Sequence, residues 1–96
     1  MGAGESLIIT KHAKKRLKQR IGLKPRAMLR HAIRAFKNGV IAVEHQNKNI
    51  AAWFRGEQEK DKSIMYVIFG SWVYIFGLSE DRVPVLVTVY KLEVGE

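Results

Sequence analysis

Two predicted strands in the second half of this chain are apolar on both faces, and this feature restricts the fold more than any other. Residues 63–69 and 72–78 flank Gly70 and Ser71, which suit a two-residue hairpin turn because glycine readily adopts a positive φ. Alternation along the hairpin places Ile64, Tyr66, Ile68, Val73 and Ile75 on one face and Met65, Val67, Phe69, Trp72, Tyr74 and Phe76 on the other. A sheet built on this hairpin therefore needs cover on both sides.

The first forty residues predict two amphipathic helices. Thr10 can cap a helix that begins at Lys11, and Gly22 tolerates the left-handed conformation that ends one. Pro25 suits the first turn of a second helix, which ends at residues 38–39. The buried face of this second helix is predicted to consist of Met28, Leu29, Ala32, Ile33 and Phe36.

The remaining segments predict strands and turns. They comprise a short β element at residues 7–9, strands at 40–43 and 50–55 around a turn at 47–49, an exposed charged loop at 56–62, and a last strand at 85–92 after Pro84. The predicted fold is α+β, with a short N-terminal β element, two helices and then a four-stranded antiparallel sheet. Residues 1–6 are expected to be flexible, and residues 7–96 to form one domain, since 96 residues support one core.

Two helices can cover only one face of such a sheet. The second apolar face must line a ligand groove, lie under loops or contact another subunit. Of these three possibilities, contact with another subunit in a homodimer is favoured.

Several classes of function are disfavoured by what the sequence lacks. The chain has no cysteine, which excludes disulfides and thiolate zinc sites. No pair of carboxylates has metal-ligand spacing, so we expect no metal and no other cofactor. The longest apolar stretch, residues 64–78, is broken by Gly70 and Ser71 and is shorter than the roughly 18 to 20 residues that a spanning helix needs. We therefore expect a cytoplasmic protein that does not enter a membrane.

The charge of the chain is concentrated in the two helices. No acidic residue occurs between Glu5 and Glu44. This interval contains eleven basic residues, namely Lys11, Lys14, Lys15, Arg16, Lys18, Arg20, Lys24, Arg26, Arg30, Arg34 and Lys37. Ordinary exposed helices mix charges of both signs, because like charges at i, i+4 repel. The pattern predicts a surface for a polyanion, and nucleic acid is favoured over an acidic protein or an anionic membrane.

His12 is the candidate for chemistry on the first helix. Arg16 and Arg20 follow it by four and eight residues, which places all three along one edge of the helix. The positive end of the helix dipole and the neighbouring cations favour a neutral imidazole. A neutral imidazole can accept a proton from a ribose 2′-hydroxyl, and guanidinium groups can stabilise the charge on the attacked phosphate. The alternative is that His12 is an ordinary polar residue at a helix start.

Two stretches carry a resemblance to a known family. Residues 10–22, TKHAKKRLKQRIG, resemble the helix signature of small bacterial and phage domains of the barnase, EndoU, colicin and RelE-like ribonuclease superfamily. Residues 85–90, VLVTVY, look like the terminal strand of those domains. The order of two helices before a four-stranded antiparallel sheet is also similar.

The resemblance implies a metal-independent RNA endonuclease that uses 2′-hydroxyl attack on phosphorus. It implies that His12 is a general base or acid, that Arg16 and Arg20 bind the phosphate, and that Thr88 and Tyr90 complete the site from the last strand. Lys11, Lys15, Arg26, Arg30, Arg34 and Lys37 would bind the rest of the RNA. A toxin-type member would also have an acidic antitoxin or immunity protein as its partner.

Two interpretations from other classes remain open. A non-catalytic nucleic-acid-binding or phage assembly protein could have the same fold and charge, since fold does not imply function. A homodimeric module could use its basic face for an acidic protein.

Overall fold

A five-stranded mixed sheet forms the centre of the domain. The structure is a computed structural model that describes residues 6–78 and 81–93. In this part of the chain the strands are β1 (Ile8–Ile9), β2 (Val40–Ile41), β3 (Ile64–Phe69), β4 (Trp72–Leu78) and β5 (Pro84–Lys91). Their order is β1-β5-β4-β3-β2, with β1 parallel to β5 and the other neighbours antiparallel. The predicted flexible start, residues 1–6, lies outside the described residues except for Ser6.

Three helices accompany this sheet in the described residues, so the predicted α+β class is confirmed. They are α1 (Lys11–Arg16), which continues into a π-helical turn (Leu17–Ile21), α2 (Pro25–Asn38) and α3 (Lys48–Lys60). The predicted limits of α1 and α2 are confirmed. Thr10 Oγ accepts a hydrogen bond of 3.0 Å from the Ala13 amide, and Gly22 ends the π turn with φ of 80°.

The predicted hairpin of residues 63–69 and 72–78 is also confirmed. Phe69 pairs with Trp72 across Gly70 and Ser71, and Gly70 has φ of 66°. Glycine adopts this backbone conformation without the strain that a Cβ would introduce. The hairpin therefore places its two sets of apolar residues on opposite faces of the sheet.

The two-helix prediction is wrong, because the segment predicted as a turn, a strand and a loop is the helix α3. The Asn47 side chain caps this helix by accepting hydrogen bonds from the amides of Asn49, at 2.9 Å, and Ile50, at 3.3 Å. The aromatic and apolar residues of positions 50–55 suggested a strand, but Ile50, Ala51 and Phe54 are buried with the spacing of one helix face. Burial of that face outweighs the local preference for a strand.

The helix α3 covers the second apolar face of the sheet. Its Ile50 and Phe54 pack with Tyr66, Ile68 and Val73 in one core cluster. The opposite face forms a separate cluster with α1 and α2, which includes Ala13, Leu17, Met28, Ala32, Ala35, Val67, Tyr74, Phe76, Leu86 and Val89. A homodimer is predicted on the ground that the second face has no cover. Since α3 covers this face, the ground for that prediction is removed.

Three smaller predictions also need correction. The sheet has five strands of mixed orientation in the described residues, because β1 joins it parallel to β5 and the segment 50–55 does not join it. The strand predicted at residues 40–43 ends at Ile41 and is followed by a 3₁₀ turn, Ala42–Glu44, which tucks Ala42 into the cluster under α3. Leu29, predicted to be buried, is 47% exposed, whereas Ala35 is fully buried in its place.

Gly39, between α2 and β2, has no room for a side chain. A Cβ at this position would lie 2.4 Å from Val67 Cγ1 and 2.6 Å from the Ala35 carbonyl oxygen. We expect Gly39→Ala to lower the free energy of unfolding by about 1–3 kcal/mol, the usual cost of forcing an extra carbon into a packed site. Urea unfolding of the purified variant measures this change.

Gly56 provides the matched control for this substitution. It lies inside α3, and a Cβ there would meet no atom within 4 Å. Gly56→Ala should raise the free energy of unfolding by roughly 0.5–1 kcal/mol, because alanine has the higher helix propensity. Equal effects of the two substitutions would contradict the packing assigned to Gly39.

Candidate functional site

The helices α1 and α2 cover the same face of the sheet, so their basic residues lie in one layer. Both helices contribute to the same core cluster, through Ala13 and Leu17 of the first and Met28, Ala32 and Ala35 of the second. We refer to the basic side chains of this layer as the basic face, which comprises Lys11, Lys14, Lys15, Arg16, Lys18, Arg20, Lys24, Arg26, Arg30, Arg34 and Lys37. Each is exposed except Arg16, which is partly buried.

The acidic residues of the described chain lie elsewhere. Glu57 and Glu59 belong to α3 and pair with Lys60 and Lys62, at 3.0 and 3.6 Å. The other described acids are Glu44 in the 3₁₀ turn, Asp61 after α3, Asp81 before β5 and Glu93 after it. From Lys11 to Arg34, no residue of the basic face forms an ion pair within residues 6–78 and 81–93. The fold thus keeps the basic face apart from the acids of the 3₁₀ turn and α3, whereas Glu93 lies near Arg20 at the end of β5.

His12 and Arg16 contact each other on the exposed side of α1. Arg16 Nε donates a hydrogen bond of 3.3 Å to His12 Nε2. In this contact Nε2 is the acceptor, which is the role of an imidazole nitrogen that carries no proton. The structure therefore brings together the candidate base and one of the two candidate phosphate-binding arginines.

Arg20 lies against the edge of the sheet. The strand β1 pairs with Val85 and Leu86 of β5, and within residues 6–78 and 81–93 no strand pairs with the later carbonyls of β5 on that side. The Thr10 hydroxyl donates to the Val87 carbonyl at 3.1 Å, and Arg20 Nη1 donates to the Val89 carbonyl at 3.2 Å. These side chains take the place of a neighbouring strand along this edge.

Arg20 lies within the π turn that follows α1. The amide of Gly22 bonds to the carbonyl of Leu17, five residues back, at 3.0 Å. Such turns occur mostly as single turns within or next to α-helices. From this turn Arg20 contacts β5, whereas Arg16, at the end of α1, contacts His12.

An open depression of about 480 Å³ lies beside Arg20. Its other lining residues are Trp72, Tyr90, Lys91 and Glu93. Trp72 and Lys91 are cross-strand neighbours on β4 and β5, and Trp72 packs against the core cluster under α1 and α2. Sequence reasoning missed these two residues as a site, because only the register between β4 and β5 places them together.

The structure places Thr88 and Tyr90 on the other face of the sheet from α1. Tyr90 packs against the core cluster under α3, and Thr88 has the same orientation two residues earlier, opposite Ile75. Burial, and then Tyr66 and Glu57, raise the pKa of Tyr90 to about 12, so its hydroxyl keeps its proton at neutral pH. Burial, followed by Glu57 and Asp61, also raises the pKa of Tyr66. Thr88 and Tyr90 thus do not share a face with His12, although Tyr90 also lines the depression beside Arg20.

His31 has a structural contact that the sequence did not predict. Its Nε2 lies 2.6 Å from the hydroxyl of the fully buried Tyr74. Burial raises the pKa of Tyr74 to about 12. Burial, and then the Arg34 guanidinium, lower the pKa of His31 below its usual 6.5. This pair connects α2 to the centre of the sheet.

The lowered pKa of His31 predicts a loss of stability in acid. Below about pH 6.5 the unfolded chain takes up a proton at His31 before the folded chain does. The free energy of unfolding should therefore fall as the pH decreases from 6.5 to the pKa of the folded state, by at most about 1.4 kcal/mol per pH unit for one proton. Urea unfolding between pH 7 and pH 5 measures the slope. In His31→Gln this contribution should be absent, and an unchanged slope would contradict it.

The described residues contain neither a membrane-spanning helix nor a cluster of metal ligands. Between residues 6 and 93, leaving out 79 and 80, no helix is both long and apolar enough to span a membrane. No group of three or more His, Asp or Glu side chains in that part of the chain is arranged to hold a metal ion.

Comparison of the chain with models of protein families, with curated proteins and with solved structures found no match. The resemblance to the RelE-like ribonuclease superfamily therefore stays a prediction. The fold and the site must be interpreted from their own geometry.

Proposed function

We propose that this protein binds nucleic acid, with RNA as the expected polymer, through the basic face of α1 and α2. The observation that carries the proposal is the series of cations from Lys11 to Arg34, which share one layer and have no carboxylate partner in the described chain. Such a layer repels itself unless a partner neutralises it. Phosphate groups supply that neutralisation and release their own counterions on binding.

The spacing along α2 suits a phosphate backbone. Arg26, Arg30, Arg34 and Lys37 recur every three or four residues, and the first and last are about 16 Å apart along the helix axis. This length corresponds to about five nucleotides of one strand at the spacing of a duplex. Several adjacent phosphates can therefore contact the helix at once.

The salt dependence of binding tests this proposal. If six to eight phosphates are engaged, the logarithm of the association constant should fall with the logarithm of salt concentration with a slope of roughly −4 to −7. Fluorescence anisotropy with labelled RNA and DNA between 50 and 300 mM KCl measures this slope. An affinity that does not change with salt, or no binding at low salt, would overturn the proposal.

RNA cleavage is the second candidate function, and the contact between His12 and Arg16 favours it. In this scheme His12 Nε2 gives up its hydrogen bond from Arg16 and accepts the proton of the ribose 2′-hydroxyl. The 2′-oxygen then attacks phosphorus, the bond from phosphorus to the 5′-oxygen breaks, and a 2′,3′-cyclic phosphate forms. The 5′-oxygen takes a proton from water, and His12 returns its proton to the solvent. The Arg16 guanidinium, released from His12, stabilises the charge that develops on the phosphate.

Cleavage of labelled RNA in EDTA tests this second candidate. His12→Ala and Arg16→Ala should each lower the rate by at least about a hundredfold, the usual contribution of one acid-base or charge-stabilising group. Lys48→Ala is the control, because Lys48 is an exposed cation at the start of α3, outside the basic face. Binding without cleavage by the unmodified protein would exclude the enzyme and leave the binding protein.

An acidic antitoxin or immunity protein would use the same surface as the RNA. Its carboxylates would neutralise the cations that otherwise contact phosphate. Such a partner should therefore compete with RNA for the basic face.

A further inference from the structure

We propose that the depression beside Arg20 binds one unpaired nucleobase, stacked on Trp72, together with its phosphate, so that the protein prefers single-stranded over duplex nucleic acid. The proposal rests on the proposed function of the basic face and specifies how that face treats the polymer. It concerns Arg20, Trp72, Lys91 and Glu93, which line the depression.

The depression is continuous with the basic face. Arg20 belongs to both, because it extends from the π turn that follows α1 and also lines the depression. A strand of nucleic acid that contacts the cations of α1 therefore reaches the depression without crossing an acidic surface of that helix, which has no Asp or Glu. The ligand at this position is the same polymer.

Arg20 is held in position before any ligand arrives. Its Nη1 donates to the Val89 carbonyl, and a guanidinium has five N–H donors in a fixed plane. The donors that do not face Val89 remain for a phosphate oxygen. Since the side chain is already ordered by this bond, binding costs less rotamer entropy than for a free arginine.

Trp72 supplies an aromatic surface of the kind that single strands use. It is partly buried against the core, which fixes the ring, and its cross-strand neighbour is the exposed Lys91. Proteins that bind single strands combine aromatic side chains, on which bases stack, with cations along the backbone. In a duplex the bases are stacked on each other, so they cannot occupy such a surface.

Glu93 determines which part of the nucleotide enters. Two cations and one carboxylate line the depression, so a phosphate is favoured near Arg20 and Lys91 and disfavoured near Glu93. The carboxylate can accept a hydrogen bond from an exocyclic amino group of a base. This arrangement suits a whole nucleotide better than a free phosphate ion.

Tryptophan fluorescence tests the proposal directly. The chain has two tryptophans, and Trp53 is 55% exposed on α3, which covers the opposite sheet face. In a Trp53→Phe variant, Trp72 is therefore the sole tryptophan. Addition of an eight-nucleotide single-stranded RNA should quench its emission, with the same dissociation constant that anisotropy gives. Binding by anisotropy without any change in the emission of Trp72 would overturn the proposal.

Affinity measurements on variants provide the second test. Trp72→Leu should weaken binding of the single strand by about 5- to 150-fold, the usual value of one base–aromatic stack. Binding of a duplex of the same sequence should change much less, and Trp53→Leu should change neither. Circular dichroism shows whether Trp72→Leu folds. Substitution of the exposed Lys91, as Lys91→Ala, provides a second variant. It should weaken single-strand binding and lower the salt slope by roughly 0.7.

The outcomes separate this inference from the function on which it rests. If the unmodified protein binds neither RNA nor DNA, the proposed function fails. If it binds single strands and duplexes equally, and Trp72→Leu has no effect, the basic face binds nucleic acid but the depression does not bind a base. If the depression is only an anion site, Glu93→Gln should strengthen its binding of free phosphate ion. Stronger phosphate binding by this variant, together with no quenching of Trp72 by RNA, would also overturn the proposal.

Discussion

Replacing Arg26, Arg30 and Arg34 together with glutamine is expected to weaken RNA binding by roughly a hundredfold at 0.1 M salt. Each phosphate contact adds about 0.7 to the salt slope for a single strand and about 0.9 for a duplex, so three lost contacts lower it by about 2 to 3. These three exposed side chains follow one line along α2, and none of them contributes to the core. The fold should therefore be unaffected, and the loss should be uniform across RNA sequences.

A variant with the same change of net charge on the other side of the molecule provides the control. Lys48, Lys60 and Lys62 belong to α3 or follow it, on the sheet face opposite α1 and α2. Their replacement by glutamine also removes three positive charges. It should change the affinity only slightly, through the long-range field. Equal losses in the two triple variants would show that net charge, and not the basic face, controls binding.

Phe54→Ala is expected to lower the free energy of unfolding by about 3–5 kcal/mol, enough to unfold a marginal domain of this size. Phe54 is 2% exposed, and its ring contacts both Tyr66 and Trp53 with centroids 5.1 and 4.8 Å away. It joins α3 to the second face of the sheet. Its loss removes apolar contacts and leaves a cavity under the helix.

Arg55→Ala is the matched control, because Arg55 is the exposed neighbour of Phe54 on the same helix. Its effect on stability should stay within about 0.5 kcal/mol. Urea unfolding measures both variants, and sedimentation at several concentrations shows whether the weakened cover of the second face leads to self-association. A loss below 1 kcal/mol in Phe54→Ala would contradict the packing of α3 on the sheet.

The parts of the fold that sequence reasoning predicted correctly depend on residues with one strong local preference. Thr10, Gly22 and Pro25 set the limits of the first two helices because each satisfies a requirement of a helix end. Gly70 similarly determines the turn of the hairpin. Such residues act through their own backbone and nearest neighbours, so the sequence alone is sufficient.

The helix α3 could not be predicted in the same way. Ile50, Trp53 and Phe54 are residues that strands favour, and Gly56 weakens a helix. The same segment becomes a helix because Ile50, Ala51 and Phe54 then face the second apolar side of the hairpin together. The sequence did contain the signal that this side needs a cover, but not which segment supplies it.

For the candidate site, the sequence by itself determined which side chains lie together on each helix, and the tertiary structure decided how the helices and strands are placed relative to one another. The interval without acids, the contact of His12 with Arg16 and the basic line along α2 all follow from residues on single helices. Only the packed sheet decided that both helices share one layer and that Thr88 lies on the other face. It also decided that Arg20, Trp72 and Lys91 line one depression. The reason is that helix spacing is local, whereas strand register and the choice of sheet face depend on contacts between residues far apart in the chain.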